Sequence, residues 1–168
     1  IPMWSDICKN ISSTLQHEFI PIEKKPLLNG NLSHTYRLSS ADERYFVKIN
    51  EIDKLDIYVC QADNLNQINK SQSIQCPRVI CYGTTKAFSY LVLEYFNFSY
   101  GNDQSWIATG EQLARMHQYG EQKMFGWDTD NYISALVQPN RWAKRWSTFF
   151  SEQRIGWQLE LAIENGMA

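Results

Sequence analysis

The chain has 168 residues, the usual length of about one domain with a hydrophobic core. Hydrophobic residues make up 43% of it and charged residues 20%, so its composition is globular and excludes a disordered protein. Its 16 basic and 18 acidic residues give a formal charge of −2, so no basic excess indicates nucleic acid or an anionic membrane as a partner.

The first half of the chain predicts a sheet with two helices. Apolar residues at helical spacing predict a helix over 5–18. Strand-like patterns follow between 20 and 49, with a hairpin signal at Asn29-Gly30. A second helical segment covers 54–69, and two strands come after it, of which the longer one has high β propensity. We therefore expect about five short strands, with one helix inserted after the third. The strands expected after the hairpin signal are 35–39, 44–49, 78–82 and 87–96.

After Phe96 the pattern changes from strands to helices, and five of the six Trp residues lie beyond residue 100. We expect a polar loop over 97–103, a helix over 105–119 and an irregular segment over 126–139. A helix from Trp142 to Phe150 and a last one over 157–165 are expected, with Gly156 between them. A mostly antiparallel sheet followed by helices is an α+β order.

The sequence predicts no metal site and no membrane span. The densest apolar run, 90–96, contains Glu94 and is far shorter than the roughly 18 residues of a membrane helix. No basic segment followed by an apolar one opens the chain, so we expect no secretion signal and a cytoplasmic location. Cysteines and histidines match no zinc spacing or triad, and we expect four free, buried thiols. These residues are Cys8, Cys60, Cys76, Cys81, His17, His34 and His117.

Lys48 is the first residue that indicates chemistry, because it interrupts the apolar strand 45–49. An unpaired buried ammonium is unfavourable, so this lysine needs a partner or a position at the margin of the sheet. A snorkelling lysine is the simpler interpretation, and a lysine directed at a phosphate is the functional one.

Two other segments bear on the choice between these interpretations. The small polar residues 29–33 form a hairpin tip whose backbone N–H groups could approach a phosphate, although a plain turn explains them equally well in isolation. The strand 91–96 runs into a polar loop, where its backbone could contact the edge of a purine. It could also be a core strand that ends at a linker.

The helix after Lys48 is expected to supply its partner. At about 100° per residue, Tyr58, Ala62 and Leu65 define the inner face of this helix. Gln61 lies on the flank of that face, whereas Asp63 points towards solvent. The position best placed to meet Lys48 is therefore neutral.

The order of these elements is that of a kinase-like N-terminal lobe: hairpin, strand lysine, helix, two strands, lobe-crossing segment, helices. Within it, the sequence resembles the fructosamine (ketosamine) kinases, which are relatives of the aminoglycoside and choline kinases. The resemblance covers the chain from about Ser5 to Ala162 and is most specific in two aromatic-rich stretches after residue 124. The matching segments are 29–38, 46–50, 91–95, 113–117, 125–133 and 138–142, the last running on through Trp146, Phe149, Phe150, Arg154, Gln158 and Leu159.

This resemblance implies an N-terminal nucleotide-binding lobe over 1–96 and the start of a helical substrate lobe over 97–168. It implies ATP and Mg²⁺ as cofactors, and phosphorylation of a sugar hydroxyl on a small or protein-bound ketosamine, as in deglycation of fructosyl- or ribulosyl-lysine. In the implied site a loop covers the phosphates, a lysine with its partner holds the α- and β-phosphates, and two hinge residues offer backbone groups to adenine. These residues are Gly30, Asn31, Ser33, Lys48, Gln61, Glu94 and Phe96.

The chain departs from the family pattern in three places. Asn29-Gly30 stands where a pair of glycines is usual, and Gln61 stands where the family has a glutamate. We expect Lys48 to be held less firmly as a result, unless a shift of the helix lets Asp63 take the place of that glutamate. No His-Gly-Asp triplet occurs, so we expect the catalytic base and the Mg²⁺ ligand beyond residue 168 and no catalytic or metal-binding residue within the chain. Acidic and polar residues of the second half are expected to shape a loop or face the substrate, namely Asp130, Asn131 and Tyr132.

Three hypotheses remain open at this stage. The chain is the N-terminal part of a ketosamine kinase and inactive alone, a non-catalytic truncated or pseudokinase nucleotide-binding module, or a different small-molecule binder that the resemblance misrepresents. Its C-terminal aromatic residues would lack packing partners in an incomplete helical lobe. We therefore expect the isolated chain to self-associate.

Overall fold

The computed structural model describes residues 2–27 and 33–167. The chain divides into two compact units, Ile1–Tyr119 and Gly120–Ala168. The boundary expected after residue 96, between a nucleotide-binding lobe and a substrate lobe, stays a prediction.

The first unit contains a five-stranded antiparallel sheet, as the sequence predicts. The elements of this unit are α1 (Pro2–Leu15), β1 (Glu23–Pro26), β2 (His34–Ser39), β3 (Arg44–Glu51), α2 (Leu55–Ser71), β4 (Val79–Thr84), β5 (Phe88–Glu94) and α3 (Asp103–Gln118). The strands lie in the sheet in the order β1-β2-β3-β5-β4, and α2 lies between β3 and β4 in the chain. A third helix follows the sheet, and its N-terminus is capped by the side chain of Asn102, which accepts a hydrogen bond from Ser105 N at 2.9 Å.

Helix α1 covers one face of the sheet. Ile7 and Ile11, one helical turn apart, are completely buried against the alternating residues Leu38, Val47 and Val92 of three strands. Burying each such side chain contributes roughly 1.5–3 kcal/mol, so this face holds most of the apolar core of the unit.

Helix α2 covers part of the opposite face. Tyr58 and Ala62 pack there against Leu91 and Leu93 of β5, with Phe46 of β3 partly buried beside them. These contacts confirm the inner face that the helical spacing of the sequence predicts. Because α2 does not extend over the whole face, side chains near the end of β5 remain accessible.

A histidine at the end of α1 is bonded to the turn between β2 and β3. His17 Nε2 lies 3.0 Å from Glu43 Oε2, and the Tyr45 hydroxyl donates to Glu43 Oε1 at 2.8 Å. The hydrogen bond between His17 and Glu43 raises the pKa of His17 and lowers the pKa of Glu43. Both groups are close to solvent, so salt screens this interaction.

We predict that Glu43→Gln reduces stability more at about pH 5.5 than at about pH 8.5. Because the pKa of His17 is raised in the folded state, its stabilisation of the fold is complete below the unfolded pKa of 6.5. This stabilisation is lost as pH rises through the pKa of His17 in the folded state. Because the pKa of Glu43 is lowered in the folded state, its stabilisation of the fold is present above the unfolded pKa of 4.5. This stabilisation is lost as pH falls through the pKa of Glu43 in the folded state. Urea midpoints at both pH values measure the difference. The exposed Glu18→Gln serves as control, and an equal loss at both pH values would contradict the prediction.

The second unit contains a hairpin and one continuous helical segment. Its elements are β6 (Asn131–Ile133), β7 (Leu136–Gln138), α4 (Trp146–Phe150), a π-helical turn (Ser151–Gly156) and α5 (Trp157–Glu164). The hairpin lies within 126–139, which the sequence predicts as irregular, and Ser134 at its turn has a φ of 59°. Such short strands carry too few residues for an alternating pattern to show.

Two predicted helix boundaries of this unit are wrong. The first helix begins at Trp146 and not at Trp142, because Ala143 forms a β-bridge with Phe125 through two hydrogen bonds of 2.8 Å. Gly156 does not separate the helices, since it has helical φ and ψ and the wide π turn passes through it. A Cβ at Gly156 would lie 3.0 Å from the carbonyl oxygen of Ser151, so glycine fits the π turn and lets the helical segment continue.

Gly126 makes a close approach that no other residue could make without strain. Its φ is 153°, and a Cβ there would lie 2.8 Å from both Asn140 O and Trp142 Cα. The neighbouring Trp127 N donates to Asn140 O at 2.9 Å. Gly126 therefore lets the segment before the hairpin pair closely with the segment after it.

We predict that Gly126→Ala destabilises the second unit by about 1–3 kcal/mol, through backbone strain and this clash. Gly110→Ala is the matched control, because Gly110 lies in α3 and a Cβ there meets nothing within 4 Å. It should be neutral or stabilise the chain by about 0.5–1 kcal/mol. Thermal unfolding followed by tryptophan fluorescence measures both, and equal effects of the two substitutions would contradict the argument.

The cysteines and the apolar segments of the chain can be compared with the predictions from the sequence. All four cysteines are free, but only Cys81 is buried, and the other three are partly exposed, so the prediction of four buried thiols is wrong. Cys8 and Cys60 lie in α1 and α2, and Cys76 lies in the loop before β4. Within 2–27 and 33–167, no helix is both long and apolar enough to cross a membrane.

Candidate functional site

Lys48 lies in the middle of β3, on the face of the sheet that α2 covers. Strand register places it opposite Thr35 of β2 and Leu91 of β5. Its Nζ donates a hydrogen bond of 2.8 Å to Gln61 Oε1. This contact is the one that the helical phase of α2 predicts, whereas the side chain of Asp63 is exposed.

The ammonium of Lys48 has no carboxylate partner among the described residues. The side chain is half-buried, and this burial lowers its pKa. The ring of Tyr58 lies beneath it, with 5.8 Å between Lys48 Nζ and the ring centroid. Lys48 is thus held by neutral groups and keeps its charge uncompensated, which suits it to an anion.

A cavity of about 490 Å³ opens on the same face, beside the end of β5. Its size is within the roughly 300–1,000 Å³ of small-molecule sites, and its lining is mostly apolar and aromatic, as is usual for them. Phe96 and Phe98 meet edge to face at its mouth, with ring centroids 6.4 Å apart. The lining residues are Leu27, Thr35, Phe46, Pro77, Leu93, Glu94, Tyr95, Phe96 and Phe98.

The two predicted hinge residues, Glu94 and Phe96, both line this cavity, but their backbone groups differ in availability. Glu94 N donates to Arg78 O at 2.9 Å, and Glu94 Oε2 lies 3.4 Å from Arg78 Nε. Among the described residues, none accepts a hydrogen bond from Phe96 N. Phe96 therefore has the backbone donor that a flat heterocycle could use, while the N–H of Glu94 is already bonded within the sheet.

The predicted phosphate loop is described only at its end. Gly30 and Asn31 lie outside the described residues, and Ser33 is the first residue after them. Burial raises the pKa of Tyr58 to about 12, and the Ser33 side chain acts on it in the opposite direction. Tyr58 therefore lies close to both Ser33 and Lys48.

In the second unit, Asp130 stabilises a loop. Its Oδ1 accepts a hydrogen bond of 2.9 Å from Asn140 N, and Asn140 Nδ2 donates to Thr129 O at 3.0 Å. Arg154 Nη2 donates to Asn140 Oδ1 at 2.6 Å, and Asn140 is almost completely buried. Both Asn140 and Arg154 lie in segments that match the family, but the sequence does not predict their contact, because fourteen positions separate them.

Asn131 and Tyr132 belong to the hairpin of the same unit. Asn131 Oδ1 accepts a hydrogen bond of 2.9 Å from Gln138 Nε2 across the strand pair. Tyr132 is half-buried opposite Val137. Whether these residues face a substrate stays a prediction, and within the described part of the chain no three His, Cys, Asp or Glu residues cluster as metal ligands.

Comparison with known proteins decides the family. Residues 3–168 match the sequence model of the fructosamine kinase family. The chain belongs to this family. Two relatives named "probable ketoamine kinase" are 41% identical over 166 residues in Vibrio parahaemolyticus and 39% identical over 166 residues in Escherichia coli K12.

Solved structures confirm the kinase-like α+β fold of this fructosamine kinase family member. A protein assigned as a fructosamine-3-kinase from Haemophilus somnus 129PT superposes with a TM-score of 0.92 at 32% identity, over 98% of this chain and 56% of that one. A second, from Thermobifida fusca, gives 0.77 at 25% identity, over 95% and 55% of the two chains. The alignments with the two ketoamine kinase relatives cover 98% and 99% of this chain. The chain spans only 58% of the length of each relative.

We predict that Gln61→Glu raises the pKa of Lys48, because a carboxylate at 2.8 Å favours the charged ammonium and opposes the effect of burial. The pH dependence of Lys48 modification by an amine reagent, followed by peptide mass spectrometry, measures the shift. Asp63→Asn is the control, since the exposed Asp63 should not influence Lys48. An unchanged profile in Gln61→Glu would show that residue 61 does not set the environment of the lysine.

Proposed function

We propose that this chain is the nucleotide-binding part of an ATP-dependent kinase that phosphorylates a sugar hydroxyl of a ketosamine, such as fructosyl- or ribulosyl-lysine. The observation that carries the proposal is the position of Lys48, whose uncompensated ammonium lies on the same sheet face as an apolar cavity of about 490 Å³. A flat heterocycle suits the cavity and a phosphate suits the lysine. The family and its relatives named as ketoamine kinases support the assignment.

In this proposal each group of the site has a defined task. The Phe46 and Leu93 side chains contact the faces of the adenine ring, and Phe96 N donates to its edge. Lys48 offsets the negative charge of the α- and β-phosphates, and a charged hydrogen bond of this kind contributes roughly 1.5–3 kcal/mol. Catalysis of phosphoryl transfer depends mainly on such positioning and charge stabilisation.

The described residues fit ATP better than they fit Mg²⁺. The cavity and Lys48 offer contacts to base and phosphate, whereas no cluster of three acidic residues, Cys or His occurs in the described part of the chain. No step through Mg²⁺ is therefore assigned to these residues. We expect this chain alone to bind adenine nucleotide without turning over ATP, because it has no His-Gly-Asp triplet. The relatives named as kinases do not favour the alternative of a pseudokinase module.

We predict that the chain binds ADP and that two substitutions weaken the binding for different reasons. Lys48→Met should weaken it about tenfold or more, since it removes a charged hydrogen bond. Phe96→Pro should weaken it by roughly fivefold, because proline has no backbone N–H. Isothermal titration calorimetry measures both affinities, and circular dichroism verifies the fold of each variant.

Matched controls separate these effects from general loss of structure. Lys70→Met removes a lysine from the exposed end of α2, and Phe96→Leu keeps the backbone donor while it shortens the side chain. Both should retain most of the affinity of the wild-type chain. Absence of ADP binding in the wild-type chain would contradict the nucleotide site. Phosphorylation of fructosyl-lysine by this chain alone would contradict the expectation that it is not catalytically competent.

We also propose that the isolated chain self-associates. The helical segment of the second unit exposes large apolar side chains, and exposed apolar patches favour association. These are Trp146, Phe150, Ile155, Leu159 and Ile163, which are 43–59% exposed. Static light scattering over a range of concentrations measures the mass, and a monomer throughout the range would contradict this proposal.

A further inference from the structure

We propose that Tyr58 is a positioning residue for Lys48, and that the face of its ring does part of the work that a carboxylate partner would otherwise do. The inference rests on the proposed function, in which Lys48 binds nucleotide phosphates. It assigns a role to a side chain that has no contact with the cavity itself.

The geometry brings three groups of the chain together. Tyr58 and Gln61 are three residues apart on α2, so they lie on adjacent positions of one helix face. Gln61 Oε1 lies 2.8 Å from Lys48 Nζ, and the centroid of the Tyr58 ring lies 5.8 Å from the same nitrogen. Tyr58 is 1% exposed, so the ring is held in place by the packing of α2 against the sheet.

The electrostatics of this arrangement explain how the lysine tolerates its position. A cation within about 6 Å of an aromatic centroid is attracted by the negative face of the ring, and the attraction grows when water is excluded. Lys48 is half-buried and has no carboxylate within salt-bridge distance among the described residues. The ring and the amide oxygen of Gln61 orient the ammonium without neutralising it. An incoming phosphate therefore does not have to compete with an internal ion pair.

The hydroxyl of Tyr58 has a separate environment from its ring face. It is buried and makes no hydrogen bond to a described residue, although the Ser33 side chain is near enough to oppose the rise of its pKa. Ser33 ends the loop that is expected to cover the phosphates. The ring and the hydroxyl can be tested independently, because Tyr58→Phe removes only the hydroxyl.

A fluorination series at position 58 tests the role of the ring. Phenylalanine, 3,5-difluorophenylalanine and pentafluorophenylalanine have similar size, but each fluorination step weakens the negative potential of the ring face. Across the series we expect the pKa of Lys48 to fall stepwise, measured by the pH dependence of amine labelling and peptide mass spectrometry. ADP affinity should fall in parallel, by roughly two- to tenfold in total.

Two controls make the result specific to this ring. The same series at Tyr45, which lies on β3 but packs on the α1 face, should leave the labelling of Lys48 and the affinity for ADP unchanged. Tyr58→Phe itself should retain the Lys48 pKa of the wild-type chain, as a ring-face interaction requires. Lys48 labelling and ADP affinity that stay constant through the series at position 58 would overturn the proposal.

The design also separates this proposal from the proposed function. The labelling experiment uses the chain without nucleotide, so it reports the contact between ring and ammonium whether or not ADP binds. A stepwise fall of the Lys48 pKa without any ADP binding would support the contact and overturn the nucleotide site. A constant pKa with normal ADP binding would overturn the role of Tyr58 and leave the nucleotide site intact.

Discussion

The arrangement of the first unit depends on how one ammonium is accommodated within an apolar sheet face. Lys48 extends from the centre of β3, where burial disfavours its charge and lowers its pKa. Helix α2 must therefore present polar or polarisable groups at this point while it packs its apolar side chains elsewhere. Gln61 and Tyr58 meet this requirement, and Ala62 beside them lets the helix approach the strands closely.

The two faces of the sheet divide the tasks of stability and binding. On one face, α1 buries Ile7 and Ile11 against three strands and forms the larger apolar cluster of the unit. On the other, α2 stops short of the end of β5, and the uncovered side chains line the cavity. Because β3 contributes to both faces, its alternating pattern places Val47 in the core and Lys48 at the candidate site. A shift of one residue in register would exchange these roles.

The sequence predicted the first unit better than the second. Strand alternation and helical spacing indicated the five-stranded sheet, the inserted helix and Gln61 as the partner of Lys48, because these follow from periodicity over six or more residues. The hairpin 131–138 has strands of three residues, too short for such a signal. The sequence predicts that Gly156 separates two helices, but the π turn continues through it, and a Cβ there would crowd the carbonyl oxygen of Ser151.

By itself, the sequence determined the family, the order of strands and helices along the first unit, and the residue types that could bind a nucleotide, since these are properties of local pattern and motif. Only the tertiary structure decided which groups are available. Glu94 N is bonded to Arg78, Phe96 N is not bonded within the described residues, and the ring of Tyr58 lies beneath Lys48. These facts depend on contacts between distant segments, whose distances and orientations are set by packing and cannot be read from neighbouring residues.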